Sequence, residues 1–324
     1  MSQIAKNDKH LMLFSGRAYP ELAQEVARLM ETELVPTRAL TYANSEIYVR
    51  FEESVRGCDA FVIQSHTSPV NEWIMEQLIM VDALKRASAK RITVVSPFYP
   101  YARQDKKHLG REPISARLVA DLYKAAGADR IMSVDLHASQ IQGFFDGPVD
   151  HLWGMPPLAD YVKEKYDTSE MTIVSPDAGR VRLADVWTDK LGCPLAIIHK
   201  RRDPNQANTV AVHEVVGEVK DRVCLLVDDM IDTAGTIAQA AHALREHGAK
   251  AVLCAATHPV FSGPAAQRLN QSGIAEIIVT NTLPIRTPEP ITNLTVLSIA
   301  PLIAKAINAV FLDGSVTSLF GGQA

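Results

Sequence analysis

Short apolar runs rich in valine and isoleucine alternate along the chain with longer segments in which apolar residues recur at helical spacing. The short runs predict strands at 59–64, 91–96, 130–134, 172–175, 195–198, 223–227, 251–256 and 276–280. The longer segments predict helices at 70–86, 114–126, 181–191 and 237–247. Because helices separate continuously apolar strands, we expect an α/β fold with a parallel sheet covered on both faces.

The strand–helix rhythm runs twice, which predicts two α/β domains in tandem. The tripeptide Val-Ser-Pro ends a strand in each half, at 95–97 and at 174–176, and suggests an internal duplication. Glycine and proline cluster at 147–157, so we place the boundary there and expect domains at 1–150 and 151–324. In open α/β sheets, ligands bind beyond the carboxyl ends of the strands, so the loops after the strands are the candidate sites.

Composition narrows the functional classes. The 324 residues are 47% hydrophobic and 22% charged, as in ordinary globular proteins. A net charge of −4 argues against nucleic-acid binding over a broad basic face, although a phosphate ligand needs only a few local cations. The cysteines form no CxxC pair and are interpreted as reduced residues of a cytosolic protein; they are Cys58, Cys193, Cys224 and Cys254.

Neither a signal peptide nor a membrane span is predicted. The first ten residues are polar and lack an apolar core. The most apolar long stretch, 294–312, is interrupted by Pro301, Lys305 and Asn308. We therefore expect a cytoplasmic protein that binds neither membrane nor nucleic acid.

The most specific motif is VCLLVDDMIDTAGT at 223–236. A buried strand leads to Asp228 and Asp229, and a turn of small residues follows before a helix. Backbone N–H groups of such a turn and the helix dipole can hold a phosphate monoester. The carboxylates suit vicinal hydroxyls, or Mg²⁺ through water. A solvated acidic turn capped by Thr236 is the alternative for an isolated Asp-Asp, but it does not account for the whole string.

Two loops of the first half carry further candidates. The segment 99–107 reads YPYARQDKK, in which Arg103 can hold phosphate bidentately or stack on a base. The segment 134–137 reads VDLH, and His137 could ligate Mg²⁺ or phosphate. An ordinary basic loop and a structural histidine are the respective alternatives. The chain has no GxxxxGK[ST] motif, so a P-loop does not hold any ATP.

Two loops of the second half complete the set. The segment 175–182, SPDAGRVR, places Asp177 after a strand, where a carboxylate could meet a metal–phosphate or simply cap a turn. The segment 198–208, IHKRRDPNQAN, predicts a mobile loop. Its cations could be a solvated face, or a lid in which Lys200 and Arg202 stabilise charge on a transferring phosphoryl group.

Over nearly its whole length the chain resembles the bacterial class I type of the ribose-phosphate pyrophosphokinase family. The strings that carry the resemblance include NSEIYVRFEESVRG, PYARQDKK, VDLHASQIQGFFDGPVDHL, SPDAGRVR, HKRRDPNQ and VDDMIDTAGT. The resemblance implies two tandem domains of the type I phosphoribosyltransferase-like fold, with the ATP loop and subunit contacts in the first and the ribose 5-phosphate loop and catalytic lid in the second. It also implies transfer of the β,γ-pyrophosphoryl group of ATP to the C1 hydroxyl of ribose 5-phosphate. The products would be AMP and 5-phospho-α-D-ribose 1-diphosphate, which feeds purine, pyrimidine, histidine, tryptophan and NAD biosynthesis.

The family also implies roles for individual residues. ATP would be held by Asn44, Ser45 and Glu46 from a neighbouring subunit and by Arg103 and Gln104. Mg²⁺ would be bound by His137 and Asp177, and Lys200 and Arg202 would be catalytic. Ribose 5-phosphate would be held by Arg202, Asp228, Asp229, Asp232, Thr233, Ala234, Gly235 and Thr236. A homohexamer with an interface site for phosphate, as activator, and for ADP is implied, with candidates Ser54, Arg56, Ser88, Ser315 and Phe320.

The chain departs from the family pattern at several positions. Asn44-Ser45 replaces Asp-Gly, Ala234 stands where many relatives have glycine and is acceptable if its φ is negative, and Arg180 adds a cation beside the loop of Asp177. Gly110 and Asp203 stand where relatives carry serine and proline. Two alternative functions stay open: a phosphoribosyltransferase that consumes the activated sugar, and a catalytically silent regulatory subunit.

Overall fold

The computed structural model of the chain describes residues 9–201 and 212–320. Within these residues the strands are β1 (Leu11–Ser15), β2 (Thr37–Thr41), β3 (Ile47–Phe51), β4 (Asp59–Ile63), β5 (Arg91–Ser96), β6 (Arg130–Val134), β7 (Val149–Leu152), β8 (Met171–Ser175), β9 (Leu195–Arg201), β10 (Val212–Val216), β11 (Val223–Ile231), β12 (Ala251–Pro259), β13 (Glu276–Thr280) and β14 (Leu294–Leu297). The helices are α1 (Pro20–Leu29), α2 (Val70–Arg86), α3 (Ser115–Ala126), α4 (Met155–Lys165), α5 (Val181–Leu191), α6 (Gly235–Glu246), α7 (Ala265–Gln271) and α8 (Ala300–Phe311).

The chain divides into two units. The first unit consists of the residues up to Trp153 together with those from Ala300 onward. The second unit comprises Gly154–Ile299. This differs from the predicted division at 1–150 and 151–324, because the C-terminal residues group with the N-terminal unit. The reason is α8, which packs against α1 and β7. The apolar stretch 294–312 therefore divides into β14 of the second unit and α8 of the first.

In the first unit, five parallel strands form a sheet in the order β1-β4-β5-β6-β7. Every residue of β4 is buried, as expected for a strand covered on both faces. The strands β2 and β3 pair antiparallel as a separate hairpin. Helix α3 ends at Gly127, whose φ of 120° is easily adopted only by glycine. The loops that follow β4, β5 and β6 thus leave the same edge of one sheet.

In the second unit, seven strands lie in the order β10-β9-β8-β11-β12-β13-β14, and only the β9–β10 pair is antiparallel. Successive residues of β11 point to opposite faces: Cys224 and Leu226 pack with α6, while Leu225 and Val227 pack with α4 and α5. Both faces of this sheet are consequently apolar and covered.

Comparison with the sequence confirms the α/β fold with mainly parallel sheets flanked by helices. Five predicted segments have the bounds of the structure: Val70–Arg86, Arg91–Ser96, Arg130–Val134, Val181–Leu191 and Glu276–Thr280. The strand predicted at 195–198 continues to Arg201, because β10 pairs with it. The start of the predicted mobile loop is therefore strand, and positions 202–208 of that loop lie outside the described residues. In the part of the chain that the structure describes, no helix has the length and apolarity to span a membrane.

Candidate active site

The second unit has a switch point in its sheet between β8 and β11. The chain leaves β8 through α5 to reach β9 on one side, and it leaves β11 through α6 to reach β12 on the other. The two connections therefore diverge at the carboxyl ends of adjacent parallel strands and leave a crevice, which is where open α/β sheets bind ligands. The Asp177 loop follows β8. The Asp228–Thr236 segment begins in the last residues of β11 and runs through a turn into the start of α6.

Asp228 and Asp229 are part of β11, which corrects the predicted end of this strand at residue 227. The strand continues to Ile231 because β12 is equally long and pairs with it, with Asp228 opposite Ala256. The neighbouring β8 pairs with β11 only as far as Leu226. Asp228 and Asp229 therefore stand on a two-stranded extension that reaches past the end of β8.

A single cation contacts both carboxylates of this extension. Nε of Arg180 lies 2.9 Å from Oδ1 of Asp228, and Nη2 of Arg180 lies 3.0 Å from Oδ1 of Asp229. Burial raises the pKa of Asp228 well above its usual range and the adjacent Asp229 raises it further, whereas the Arg180 guanidinium opposes both effects. The sequence shows Arg180 as a cation near the Asp177 loop, but not that it reaches β11.

The turn after β11 has a left-handed residue at its centre. Ala234 has φ 59° and ψ 9° and is the N-cap of α6. The negative φ that would make alanine unstrained at this position is not adopted, because the chain reverses from the β11 extension into a helix within three residues. Thr236 lies inside α6, so it is not the capping residue of an acidic turn.

The carbonyl oxygens of this turn are held by the connection between β12 and α7. The carbonyls of Ile231 and Asp232 accept hydrogen bonds from the N–H groups of Phe261 at 2.9 Å and Ser262 at 3.0 Å. Sequence analysis did not single out the residues of this connection, because nothing in an exposed polar segment such as 262–264 indicates a contact with a turn 30 residues earlier.

Asp177 is exposed and its loop is tightly folded. Its Oδ1 accepts a hydrogen bond of 2.8 Å from the N–H of Gly179, and its carbonyl accepts one of 2.7 Å from Ser175 Oγ. These bonds close the short 3₁₀ turn Ala178–Arg180 that leads into α5. Capping the turn and meeting a solvated ligand are compatible, because the carboxylate has a second oxygen.

The predicted lid residues begin on β9. Lys200 pairs with His213 of β10 in the strand register. Arg202 lies outside the described residues.

In the first unit, the loops after β5 and β6 are joined. Asp105, which is buried, accepts a hydrogen bond from the side-chain amide of Gln140, a residue shortly after His137. Arg103 is exposed, and the Oε1 of Gln104 accepts a 2.7 Å bond from the Ser115 hydroxyl at the start of α3. The structure thus brings the segment of Arg103 and Gln104 next to the segment of His137.

The β2–β3 hairpin has an exposed tip. Asn44, Ser45 and Glu46 are exposed, and Asn44 Oδ1 accepts a 3.2 Å bond from the N–H of Glu46. Tyr42, half of whose surface is exposed, lies beside them with its ring 6.1 Å from that of Tyr48. Sequence analysis did not single out Tyr42, although an aromatic residue next to the motif was a signal for stacking.

The candidate regulatory residues fall at two edges of the first sheet. Ser54 and Arg56 precede β4, and Ser88, which precedes β5, accepts a 2.8 Å bond at its carbonyl from the N–H of Gly57. Ser315 is exposed. The ring of Phe320 instead lies 6.0 Å from that of Trp153, the residue after β7, at the opposite edge.

Comparison with known proteins gives matches over both halves of the chain. The N-terminal domain of ribose phosphate pyrophosphokinase matches residues 11–127, and the phosphoribosyl synthetase-associated domain matches residues 204–321. The ribose-phosphate pyrophosphokinase of Streptomyces coelicolor is 66% identical over 316 residues, which are 98% of this chain and 98% of the relative. That of Mycobacterium leprae is 63% identical over 319 residues, with the same coverage. The crystal structure of phosphoribosylpyrophosphate synthetase from Mycobacterium smegmatis superposes with a TM-score of 0.90 at 62% identity, covering 94% of this chain and 100% of the other.

Proposed function

Because the chain belongs to the ribose-phosphate pyrophosphokinase family, we propose that it transfers the β,γ-pyrophosphoryl group of ATP to the C1 hydroxyl of ribose 5-phosphate. The products are AMP and 5-phospho-α-D-ribose 1-diphosphate. The observation that carries this proposal is the acidic extension of β11 followed by a small-residue turn, at the switch point of a parallel sheet. Carboxylates and a helix N-terminus in this order suit a molecule with vicinal hydroxyls at one end and a phosphate at the other.

Ribose 5-phosphate is assigned to the second unit. The carboxylates of Asp228 and Asp229 accept hydrogen bonds from the ribose hydroxyls. The turn at Asp232, Thr233, Ala234, Gly235 and Thr236 holds the 5-phosphate with backbone N–H groups and the Thr hydroxyls. Support comes from the start of α6 at Gly235, since the N-terminus of a helix favours an anion.

ATP is assigned to the loops of the first unit. Arg103 and Gln104 hold the nucleotide, and the proximity of their loop to that of His137 supports a shared polyphosphate site there. Asn44, Ser45 and Glu46 contact the adenine of a neighbouring subunit. The exposed tip of the β2–β3 hairpin, which bears these residues, supports a contact outside the subunit's own fold.

Catalysis rests on charge and position. The C1 hydroxyl attacks the β-phosphorus of ATP, and the bond from this phosphorus to the α-phosphate oxygen breaks, so AMP leaves. Lys200 and Arg202 stabilise the charge of the transferring group, and Arg202 also contacts the ribose phosphate. Cationic stabilisation of phosphoryl transfer accelerates it by about 10³–10⁵-fold.

Two residues are proposed as Mg²⁺ ligands: His137 of the first unit and Asp177 of the second. The exposed carboxylate of Asp177 at a strand end fits a hard cation, which prefers oxygen ligands. Within residues 9–201 and 212–320, no group of three or more potential metal ligands stands together. This suits an ion that uses one or two protein ligands and completes its shell with substrate phosphates and water. When bound, Mg²⁺ neutralises phosphate charge and orients the polyphosphate.

Self-association as a homohexamer is proposed as well. An apolar stripe along α3 supports it: Ile114, the N-cap, and Leu118 and Leu122 of the helix are spaced by about one helical turn and are exposed by 37, 56 and 40%. Such a stripe on a described surface is typical of an interaction site.

Regulation by inorganic phosphate as activator and ADP as inhibitor is also proposed. The residues proposed for this role are Ser54, Arg56, Ser88, Ser315 and Phe320. A cytoplasmic location is proposed, and the four buried cysteines without disulfides support it.

The test is a product assay with ATP, Mg²⁺ and ribose 5-phosphate, in which AMP, ADP and the sugar product are separated by chromatography. AMP formed one-for-one with the diphosphate ester is the expected result. ADP would show a simple kinase and overturn the proposal. No turnover, even with added phosphate, would favour a silent regulatory subunit. Turnover only with the activated sugar and a base would favour a phosphoribosyltransferase.

A further inference from the structure

Arg180 joins two segments that carry the acidic residues of the second unit. Its guanidinium bridges Asp228 and Asp229 through two different nitrogens, Nε and Nη2, at 2.9 and 3.0 Å. The side chains of Arg180, Asp228 and Asp229 are 19, 14 and 7% exposed, so these contacts are largely removed from solvent. Charged contacts in such surroundings are only weakly screened.

The topology explains why Arg180 reaches these carboxylates. It is the last residue of the 3₁₀ turn after β8, and β8 is the immediate neighbour of β11 in the sheet. Because β11 continues past the end of β8, its two aspartates lie beside that turn. The backbone N–H of Arg180 also bonds the carbonyl of Asp177 at 3.3 Å, which fixes the direction in which its side chain leaves the turn.

The geometry requires a guanidinium. Two consecutive carboxylates at low exposure repel one another, and a cation beside them opposes both this repulsion and the cost of their burial. A planar guanidinium can place separate N–H groups on both carboxylates at once, whereas the ammonium of a lysine is a single point charge. Both contacts of Arg180 are made to Oδ1 atoms, and the Oδ1 of Asp228 also accepts a 2.8 Å hydrogen bond from the backbone N–H of Asp229.

We propose that Arg180 is a positioning residue for the sugar: it fixes the carboxylates of Asp228 and Asp229 in the orientation that accepts the vicinal hydroxyls of ribose 5-phosphate. This inference rests on the proposed function, since it assumes that these carboxylates bind the sugar. Arg180 acts through the aspartates and touches no reacting atom. Its loss therefore weakens sugar binding more than it slows pyrophosphoryl transfer.

The experiment compares Arg180→Gln and Arg180→Lys with Arg182→Gln, which removes an exposed cation from the first turn of α5. Steady-state kinetics give kcat and the KM values for ribose 5-phosphate and for ATP. We expect Arg180→Gln to raise the KM for ribose 5-phosphate about tenfold or more, because it removes two largely buried ion pairs that hold the carboxylates. The KM for ATP and kcat should change by less than about threefold, Arg180→Lys should be intermediate, and Arg182→Gln should match the wild type.

A second measurement separates positioning from folding. In Arg180→Ala, added guanidinium ion should restore part of the affinity for ribose 5-phosphate, measured by calorimetry without ATP, and it should have no such effect on Arg182→Ala. If Arg180→Gln fails to fold, Arg180→Lys takes its place, and the expected result is a smaller rise in the KM for ribose 5-phosphate with kcat and the KM for ATP unchanged. An unchanged KM for ribose 5-phosphate, or a fall in kcat alone, would overturn the inference. Wild-type protein that does not use ribose 5-phosphate would instead overturn the proposed function.

Discussion

Nη1 of Arg268 donates a hydrogen bond of 3.0 Å to the carbonyl oxygen of Thr233. The N–H groups of Phe261 and Ser262 bond the two preceding carbonyls. The carbonyls of three consecutive residues, Ile231 to Thr233, therefore all point towards the β12–α7 connection and α7. A phosphate is bound by donors and repelled by carbonyl oxygens. The contact from α7 therefore prepares the turn after β11 for an anion.

Replacing Arg268 should weaken binding of ribose 5-phosphate. Arg268→Ala removes the bond to Thr233 and a cation whose Nη1 lies 3.3 Å from where a Cβ on Gly235 would stand. We expect a rise of about tenfold in the KM for ribose 5-phosphate, since a charge-assisted hydrogen bond contributes about 1.5–3 kcal/mol. Gln267→Ala, at an exposed neighbouring position of α7, is the control for steady-state kinetics. An equal KM in the two variants would mean that α7 does not shape the turn.

The left-handed backbone at Ala234 makes this position sensitive to side-chain shape. A left-handed conformation costs an L residue about 1–2 kcal/mol, and it is least tolerated by β-branched residues. Ala234→Val should therefore lower the free energy of unfolding by about 2 kcal/mol. Ala234→Gly should change it by less than about 1 kcal/mol, because relief of strain is offset by the freer unfolded chain.

Urea denaturation followed by circular dichroism measures both variants at position 234. Ala238→Val, one turn further along α6, reports the cost of β-branching in an ordinary helical position. If valine were tolerated equally at 234 and 238, the left-handed conformation of Ala234 would not constrain the turn.

Burial of His66 makes the stability of the first unit depend on pH. The imidazole is 1% exposed, and burial lowers its pKa to about 4. Hydrogen bonding to Phe98 and Gln77 raises the pKa, but by less than burial lowers it. The unfolded chain takes up the proton near pH 6.5, whereas the folded protein takes it up only near pH 4. Stability is thus unaffected above pH 6.5 and is lost progressively as the pH falls from 6.5 to 4.

The size of this loss at His66 is about 3 kcal/mol between those pH values. It is measured as the difference between the pH profiles of unfolding free energy for wild type and His66→Gln, which cannot titrate. The control is His242→Gln, at an exposed position of α6. Parallel profiles for wild type and His66→Gln would contradict a neutral buried imidazole.

Lys200→Ala should lower kcat by about 10³-fold, the lower end of the range for cationic stabilisation of phosphoryl transfer. The β9–β10 pairing through Lys200 and His213 uses the backbone, so it does not require the lysine side chain. The melting temperature should therefore stay close to that of the wild type. Single-turnover kinetics measure the chemical step, with the exposed Lys220→Ala as control. An unchanged kcat would remove Lys200 from the mechanism.

Leu118→Lys should disrupt self-association. It places a charge in the middle of the exposed apolar stripe on α3, and the desolvation of that charge opposes burial of the stripe against another subunit. Sedimentation velocity should show a smaller species than the wild type at equal concentration. Arg86→Ala, at an exposed position of α2, is the comparison. An unchanged sedimentation coefficient would show that the stripe is not part of an interface.

Several buried parallel strands and amphipathic helices were predicted because their apolar residues recur with a clear period, whereas β1 and the helices α1, α4, α7 and α8 were missed. Arg91–Ser96 and Val181–Leu191 have the predicted bounds for this reason. The β2–β3 hairpin was missed, since its strands are half-exposed and carry polar residues such as Arg38 and Arg50 opposite one another. Partly exposed strands have no continuous apolar run to reveal them.

The sequence names the residues of the candidate site, but it does not give their contacts. The order Asp228, Asp229 and then a small-residue turn pointed to a sugar phosphate. The bridge from Arg180 depends on β8 and β11 being neighbours, and the contact from Arg268 depends on where α7 packs. The backbone of Ala234 likewise follows from the length of the β11 extension. Such features are set by tertiary structure, which local sequence patterns do not encode.

The position of α8 has a consequence for synthesis on the ribosome. Gly154–Ile299 has been translated in full before Ala300–Phe311, the helix that packs against α1 and β7, leaves the exit tunnel. The unit that begins first is thus finished last, although domains generally fold in the order of their synthesis. Until then the face of α1 that α8 covers has no partner. The nascent chain therefore leaves this face of α1 uncovered through most of its elongation.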